Sequence, residues 1–126
     1  MTTLRMDRAE AVLSLIGNTP TVALRFAPEN RVVHAKCEFL NPSGSVKDRL
    51  AKTVILDAES RGLLRPNSII LECTSGNTGV SLAMVGAAKG YAVTILMSER
   101  ASEERRRLIR QFGAKRRQPV GVDQLV

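Results

Sequence analysis

The chain has 126 residues, 44% of them hydrophobic and 3% aromatic, with no tryptophan. That is enough apolar material for one folded domain, and too few rings for a base-stacking nucleic-acid platform. Two cysteines and one histidine supply neither a disulfide framework nor a four-ligand zinc site.

The net charge is +7, and much of it sits late in the chain. There Arg105, Arg106, Arg107, Arg110, Lys115, Arg116 and Arg117 stand against Glu103 and Glu104. Such a run suits a solvated helix face or an anionic partner. The longest apolar stretch, residues 80–88, is broken by Ser81 and Gly86 and falls far short of the roughly 20 residues of a membrane span. At the N-terminus, Arg5, Asp7, Arg8 and Glu10 precede the apolar patch at 11–17, which does not read as a secretory signal. The expectation is a soluble, reduced, cytoplasmic chain with neither membrane nor nucleic acid as partner.

In chain order, residues 21–24 and 32–39 read as strands, the second enclosed by Asn30 and by Asn41-Pro42. Ser45 is placed to cap a helix, with Asp48 three residues on completing a capping-box-like pair. Val46, Leu50, Val54, Ile55 and Ala58 recur at helical spacing, and Gly62 with Pro66 ends that helix. Residues 68–71 form a short apolar strand. The Gly-rich loop Thr74-Ser75-Gly76-Asn77-Thr78-Gly79 opens a second helix reaching Lys89-Gly90. Residues 91–97 read as a strand buried on both faces, and Ser102 caps a third helix that ends before Gly113. Strands alternating with helices give an α/β fold, a three-layer αβα arrangement around a parallel sheet.

In such sheets ligands bind where loops leave the carboxyl ends of strands and feed helix N-termini. Two loops qualify: residues 41–47 and 74–79. The second offers hydroxyls, an amide and backbone N–H groups at a helix start, which suits a carboxylate or phosphate; an ordinary strand–helix turn has the same composition. It is neither a P-loop nor a dinucleotide-binding fingerprint. Lys47 falls at about the second helical position, where the dipole opposes a cation by roughly 0.3–1 kcal/mol. A disfavoured ammonium suits Schiff-base chemistry, whereas a solvated lysine with a packed stem fits the same position.

Several motifs occur in a fixed order: Ile16-Gly17-Asn18-Thr19-Pro20, Lys36-Cys37-Glu38-Phe39, Asn41-Pro42-Ser43-Gly44-Ser45-Val46-Lys47-Asp48-Arg49 and the 74–79 loop. Ala87-Ala88-Lys89-Gly90-Tyr91, Glu104-Arg105-Arg106 and Phe112-Gly113-Ala114 follow. From about residue 11 to 115 the sequence closely resembles the cysteine synthase and cystathionine β-synthase family of pyridoxal-phosphate (PLP) enzymes, of fold type II and related to the tryptophan synthase β-chain. The resemblance implies that Lys47 holds PLP covalently and takes the substrate's α-proton. It implies that Asn77 bonds the cofactor's ring hydroxyl oxygen, while Thr74, Ser75, Gly76 and Thr78 grip the amino-acid carboxylate. The implied reaction is β-replacement on an O-activated serine, with sulfide or a thiol as second substrate, most simply O-acetylserine plus sulfide giving cysteine. Cystathionine synthesis, another fold type II activity, or amino-acid binding without catalysis are the alternatives, and a family-like homodimer is implied. His34, in a strand, and Cys73, read as a small buried apolar residue, have no part in this scheme.

Family members are more than twice as long, and their later half supplies a Gly-rich phosphate loop and a Ser or Thr facing the pyridine nitrogen. After Gly79 this sequence has only isolated glycines at 86, 90, 113 and 121. The expected organisation is therefore residues 1–114 as the N-terminal part of such an enzyme. Within it, residues 1–39 hold strands that join a larger domain and 40–114 form a small α/β domain. Residues 115–126 are expected to be a divergent tail, with the second domain absent and little turnover from the chain alone. Lys115-Arg116-Arg117 and Pro119 make a poor central strand.

Overall fold

The computed structural model describes residues 7–118. The apolar patch at the N-terminus forms helix α1 (Arg8–Ser14), whose side of Leu13 and Ile16 is buried. Strands β1 (Thr21–Phe26) and β2 (Arg31–Lys36) follow as an antiparallel hairpin with Thr21 opposite Lys36 and Phe26 opposite Arg31. The second strand ends three residues earlier than the apolar pattern predicts. The Cys37 N–H turns back to the Pro20 carbonyl at 2.9 Å, and Glu38–Leu40 winds into a 3-10 turn. His34 lies exposed on β2.

Then come α2 (Lys47–Ser60), β3 (Ile69–Cys73), α3 (Asn77–Lys89), β4 (Ala92–Leu96), α4 (Glu103–Gln111) and β5 (Lys115–Arg117). The last three strands form one parallel sheet in the order β3-β4-β5. This is the expected α/β fold with a parallel sheet.

Helix α3 is its centre. Every residue from Gly79 to Gly86 is buried, as expected of a helix that is apolar all round. One side packs with Val93, Ile95 and Met97 of the β4 segment and with Ile109 of α4; the other meets Ala51 and Ile55 of α2 and Leu13 and Ile16 beside α1. Small residues permit the close approach. A Cβ on Gly79 would lie 2.9 Å from Thr74 Cγ2 and 3.2 Å from Ile95 Cγ2, and one on Gly86 would overlap Val93 Cγ2. At the far end, Glu59 of α2 bonds the Lys89 ammonium at 2.9 Å and accepts the Tyr91 hydroxyl at 2.8 Å. That acceptor raises the Tyr91 pKa above the usual tyrosine value.

The opposite face of the sheet carries Ile69 and Leu71, 66% and 62% exposed. This is the face that the αβα arrangement reserves for a further helical layer, and the described residues place no helix on it. Strand alternation puts Cys73 there as well, so it is exposed rather than buried as expected. Residues 115–117 also depart from expectation, since they form β5 at the sheet edge rather than a divergent tail. Lys115 and Arg117 face solvent, while Arg116 reaches Glu99 at 3.7 Å and the Met97 carbonyl at 3.4 Å. An edge position tolerates such side chains where a central one does not; Pro119 lies outside the described residues.

Replacing Gly86 with alanine tests the α3–β4 approach. Helix propensity alone would stabilise the variant by up to about 1 kcal/mol, but the overlap with Val93 reverses the sign. A net destabilisation of about 1–3 kcal/mol is expected, read from urea midpoints and relieved by Val93→Ala in the same chain. A neutral or stabilised Gly86→Ala would contradict this packing.

Candidate active site

The loop before α2 is held by a buried carboxylate. Asp48 is fully buried, and its side chain accepts the Ser43 N–H at 2.7 Å, the Ser81 hydroxyl at 2.6 Å and the Ser43 hydroxyl in a short bond. Asp48 thus reaches back to Ser43, not to Ser45 as a capping box requires. The predicted Ser45 cap is also displaced: α2 starts at Lys47, and the Ser45 hydroxyl accepts the Lys47 N–H at 3.2 Å in a local turn. Lys47 is the first helical residue rather than the second. Because Ser81 belongs to α3, the Asp48 cluster fixes the start of α2 against the start of α3.

A second polar cluster anchors the same loop from the other side. Arg49 forms a fork on Glu38, Nε at 2.9 Å and Nη2 at 3.0 Å. The Thr19 hydroxyl and the Asn41 amide donate to the same carboxylate at 2.8 and 2.9 Å. The Asn41 side-chain oxygen Oδ1 in turn accepts the Gly17 N–H at 2.9 Å. Gly17 has φ +100°, and a Cβ there would stand 3.1 Å from the Arg49 guanidinium. The Arg49 bonds, foremost, hold the Glu38 carboxyl at about 2 instead of the ordinary 4.5.

At the second loop, the Thr74 N–H continues the sheet ladder to the Leu96 carbonyl at 3.0 Å, and the Thr74 hydroxyl accepts the Gly76 N–H at 3.2 Å. Helix α3 begins at Asn77 with Gly76 as its cap residue, and no side chain caps its first N–H groups. The Ser75 and Thr78 hydroxyls make no hydrogen bond within the described residues. Ser43 and Gly44 meet Asn77, Val80, Glu104, Arg105 and Leu108 around a cavity of about 230 Å³. The two loops therefore converge at Ser43-Gly44 and Asn77. Lys47, Thr74, Ser75, Gly76 and Thr78 flank that cavity in sequence without lining it.

The lysines differ in what they touch. Lys36 bonds the Thr19 carbonyl at 2.7 Å, Lys52 the Leu13 carbonyl at 2.8 Å and Lys89 the Glu59 carboxylate at 2.9 Å. Lys47 is exposed, and its ammonium has no carboxylate or carbonyl partner among the described residues. On α4, Glu103 pairs with Arg106, Arg107 and Arg110, so part of the basic run is neutralised on its own helix. Among the described residues there is no His, Cys, Asp and Glu grouping fit for a metal ion, and no helix long and apolar enough to cross a membrane.

The starts of α2 and α3 lie side by side, joined through Asp48 and Ser81, and α3 leaves the carboxyl end of β3, where α/β folds commonly place a ligand. The family described as pyridoxal-phosphate dependent enzyme matches residues 12–121, and the chain belongs to it. The chain is 56% identical over 111 residues to O-ureido-L-serine synthase of Streptomyces lavendulae, covering 87% of this chain and 34% of that protein. It is 48% identical over 111 residues to cysteine synthase of Aquifex aeolicus, covering 84% and 34%. Among solved structures, an O-ureido-L-serine synthase superposes with TM-score 0.82 at 51% identity over 90% of this chain and 37% of that one. Cysteine synthase from Entamoeba histolytica gives 0.81 at 35% identity, over 94% and 36%. The chain spans about a third of the length of these relatives, and its fold is an N-terminal part of theirs. The family is pyridoxal-phosphate dependent, as the sequence resemblance implies.

Sequence reasoning missed Asp48, Ser43 and Ser81 as a unit, and Glu38 with Arg49. For the first, the available signal is a serine inside an otherwise apolar helix.

The depressed Glu38 carboxyl generates a pH dependence. In the window from about 4.5 down to about 2 the unfolded chain binds the proton that the folded chain refuses, so stability falls as pH falls through it. Urea unfolding of Glu38→Gln is expected to show a flatter profile across that window. An unchanged slope would assign the acid sensitivity to other carboxylates.

Proposed function

We propose that this chain carries the lysine-bearing part of a fold type II PLP enzyme that performs β-replacement on an O-activated serine. With sulfide as acceptor the product is cysteine. The carrying observation is Lys47: the first residue of α2, exposed and without an ionic partner among the described residues, next in sequence to Asp48, which bonds Ser81 of α3.

The donor set fits the group. A free amine suits an aldehyde, the Asn77 amide suits a ring hydroxyl oxygen, and the α3 N–H groups suit an amino-acid carboxylate. When bound, PLP supplies an electron sink for the substrate's Cα. In this reading Lys47 Nζ attaches the group and later takes the α-proton, and Asn77 orients the ring. The N–H groups and hydroxyls at Thr74, Ser75, Gly76 and Thr78 hold the carboxylate. We further propose that the β1–β2 hairpin, whose Val22, Leu24, Phe26, Val32 and Val33 are exposed, belongs to a larger domain, and that the working enzyme is a cytoplasmic homodimer.

Adding PLP, reducing with borohydride and mapping peptides should place the label on Lys47. Label chiefly on Lys36, Lys52, Lys89 or the exposed Lys115 would refute the assignment.

Thr78→Ala should weaken amino-acid binding by about 1.5–3 kcal/mol, as for a lost hydrogen bond to a charged group. Titration of the PLP-loaded chain with O-acetylserine measures it, and an unchanged affinity would mean that the α3 turn holds something other than the carboxylate.

A further inference from the structure

The Glu104-Arg105-Arg106 motif has no role in the reading above, yet the structure brings its middle residue to the site. Arg105 Nε donates to Asn77 Oδ1 at 3.3 Å, across 28 residues of sequence. Both side chains line the cavity that Ser43 and Gly44 close from the other side. The neighbouring arginines are engaged elsewhere: Arg106, Arg107 and Arg110 all pair with Glu103. Arg105 has no carboxylate among the described residues, and Asn77 is its polar partner.

The chemistry of the pair decides the orientation of the amide. An asparagine offers an acceptor oxygen on one side and a two-hydrogen donor on the other, whereas a guanidinium has donors only. Only Oδ1 of Asn77 can face Arg105, which turns Nδ2 away as the outward donor. A charged donor on Oδ1 also polarises the amide and makes Nδ2–H a stronger donor, especially toward an anionic oxygen.

We propose that Arg105 is a positioning residue: it locks the Asn77 amide with Nδ2 presented to an acceptor oxygen of the bound ligand. With Asn77 read as the partner of the PLP ring oxygen, an inference that rests on the proposed function, Arg105 selects the deprotonated form of that oxygen. It does so without touching the ligand.

The test has one arm without cofactor and one with it. In the ligand-free chain, NMR of 15N-labelled asparagine side chains should show the Asn77 Nδ2 pair moving toward the positions of exposed asparagines in Arg105→Gln, with other asparagines unchanged. An unmoved Asn77 pair would overturn the proposal.

In the PLP-loaded chain, Arg105→Gln should raise the pH midpoint of the cofactor's visible band and weaken PLP retention about threefold, the scale of one modest hydrogen bond. In an Asn77→Ala background the same substitution should change neither. An effect that persists there would mean that Arg105 acts on the ligand directly, against the proposal. A chain that binds no PLP at Lys47 would refute the proposed function and the ring oxygen as target; the ligand-free arm still decides whether Arg105 holds Asn77.

Discussion

The buried carboxylate of Asp48 is the constraint from which the site is built. A carboxylate with no exposure costs several kcal/mol unless hydrogen bonds replace its water. Three donors do so here: the Ser43 N–H, the Ser43 hydroxyl and the Ser81 hydroxyl. The second position of α2 adds a favourable dipole term of about 0.3–1 kcal/mol. Each serine has one hydroxyl proton, and both go to Asp48. The 3.1 Å approach of Ser43 Oγ to Ser81 Oγ is therefore two donors crowding one acceptor. That crowding leaves little freedom in how α2 begins relative to α3, and Lys47 is the residue next to it.

The Glu38 cluster does the same for the front of the loop. Its carboxylate collects Arg49 from α2, Thr19 from the segment before β1 and Asn41 from the loop itself. The 41–47 segment is thus pinned at one end by Glu38 and at the other by Asp48. Behind it, α3 has glycines at 79 and 86 where it meets Thr74, Ile95 and Val93. A stiff layer beneath and two carboxylates at the sides fix a loop whose Asn41 and Ser45 are buried while Pro42, Gly44, Val46 and Lys47 are exposed. Preorganisation of that kind is what a covalent attachment point requires.

Much of this was legible as punctuation. Glycine, proline and apolar runs located β3, β4 and the helices α2, α3 and α4, and the two loops before α2 and α3, within a few residues. What failed did so for identifiable reasons. The capping box at Ser45 was plausible by spacing, but Asp48 found better partners in Ser43 and in Ser81, 33 residues away, and spacing rules see only near neighbours. Cys73 looks buried by composition, but strand alternation sets it beside Ile69 and Leu71 on the bare face. Lys115 to Arg117 read as a divergent tail because they make a poor central strand; an edge strand obeys looser rules. Ser81 was noted only as an interruption of an apolar run, although a polar residue with no exposure demands a partner.

The charges around the cavity complete the picture. A net +7 spread evenly would say little about ligands, but the cations are not equivalent. Lys36, Lys52 and Lys89 are tied to protein oxygens, and three arginines of α4 surround Glu103. Near the starts of α2 and α3, Lys47 and Arg105 have no carboxylate partner among the described residues, Lys47 as the first residue of α2 and Arg105 in the lining of the cavity. Against them stands Glu104, among the described residues the one carboxylate lining the cavity. Asn77 and Arg105 at the cavity, the N–H groups at the start of α3 and Lys47 at the start of α2 are all donors. Such a set rewards a ligand that brings several acceptor oxygens and at least one negative charge, and it disfavours a neutral apolar one. The acceptor-rich preference comes from geometry that Asp48 and Glu38 hold in place: Glu38 accepts four donors and Asp48 is fully buried with three, so neither carboxylate is presented to the same donors.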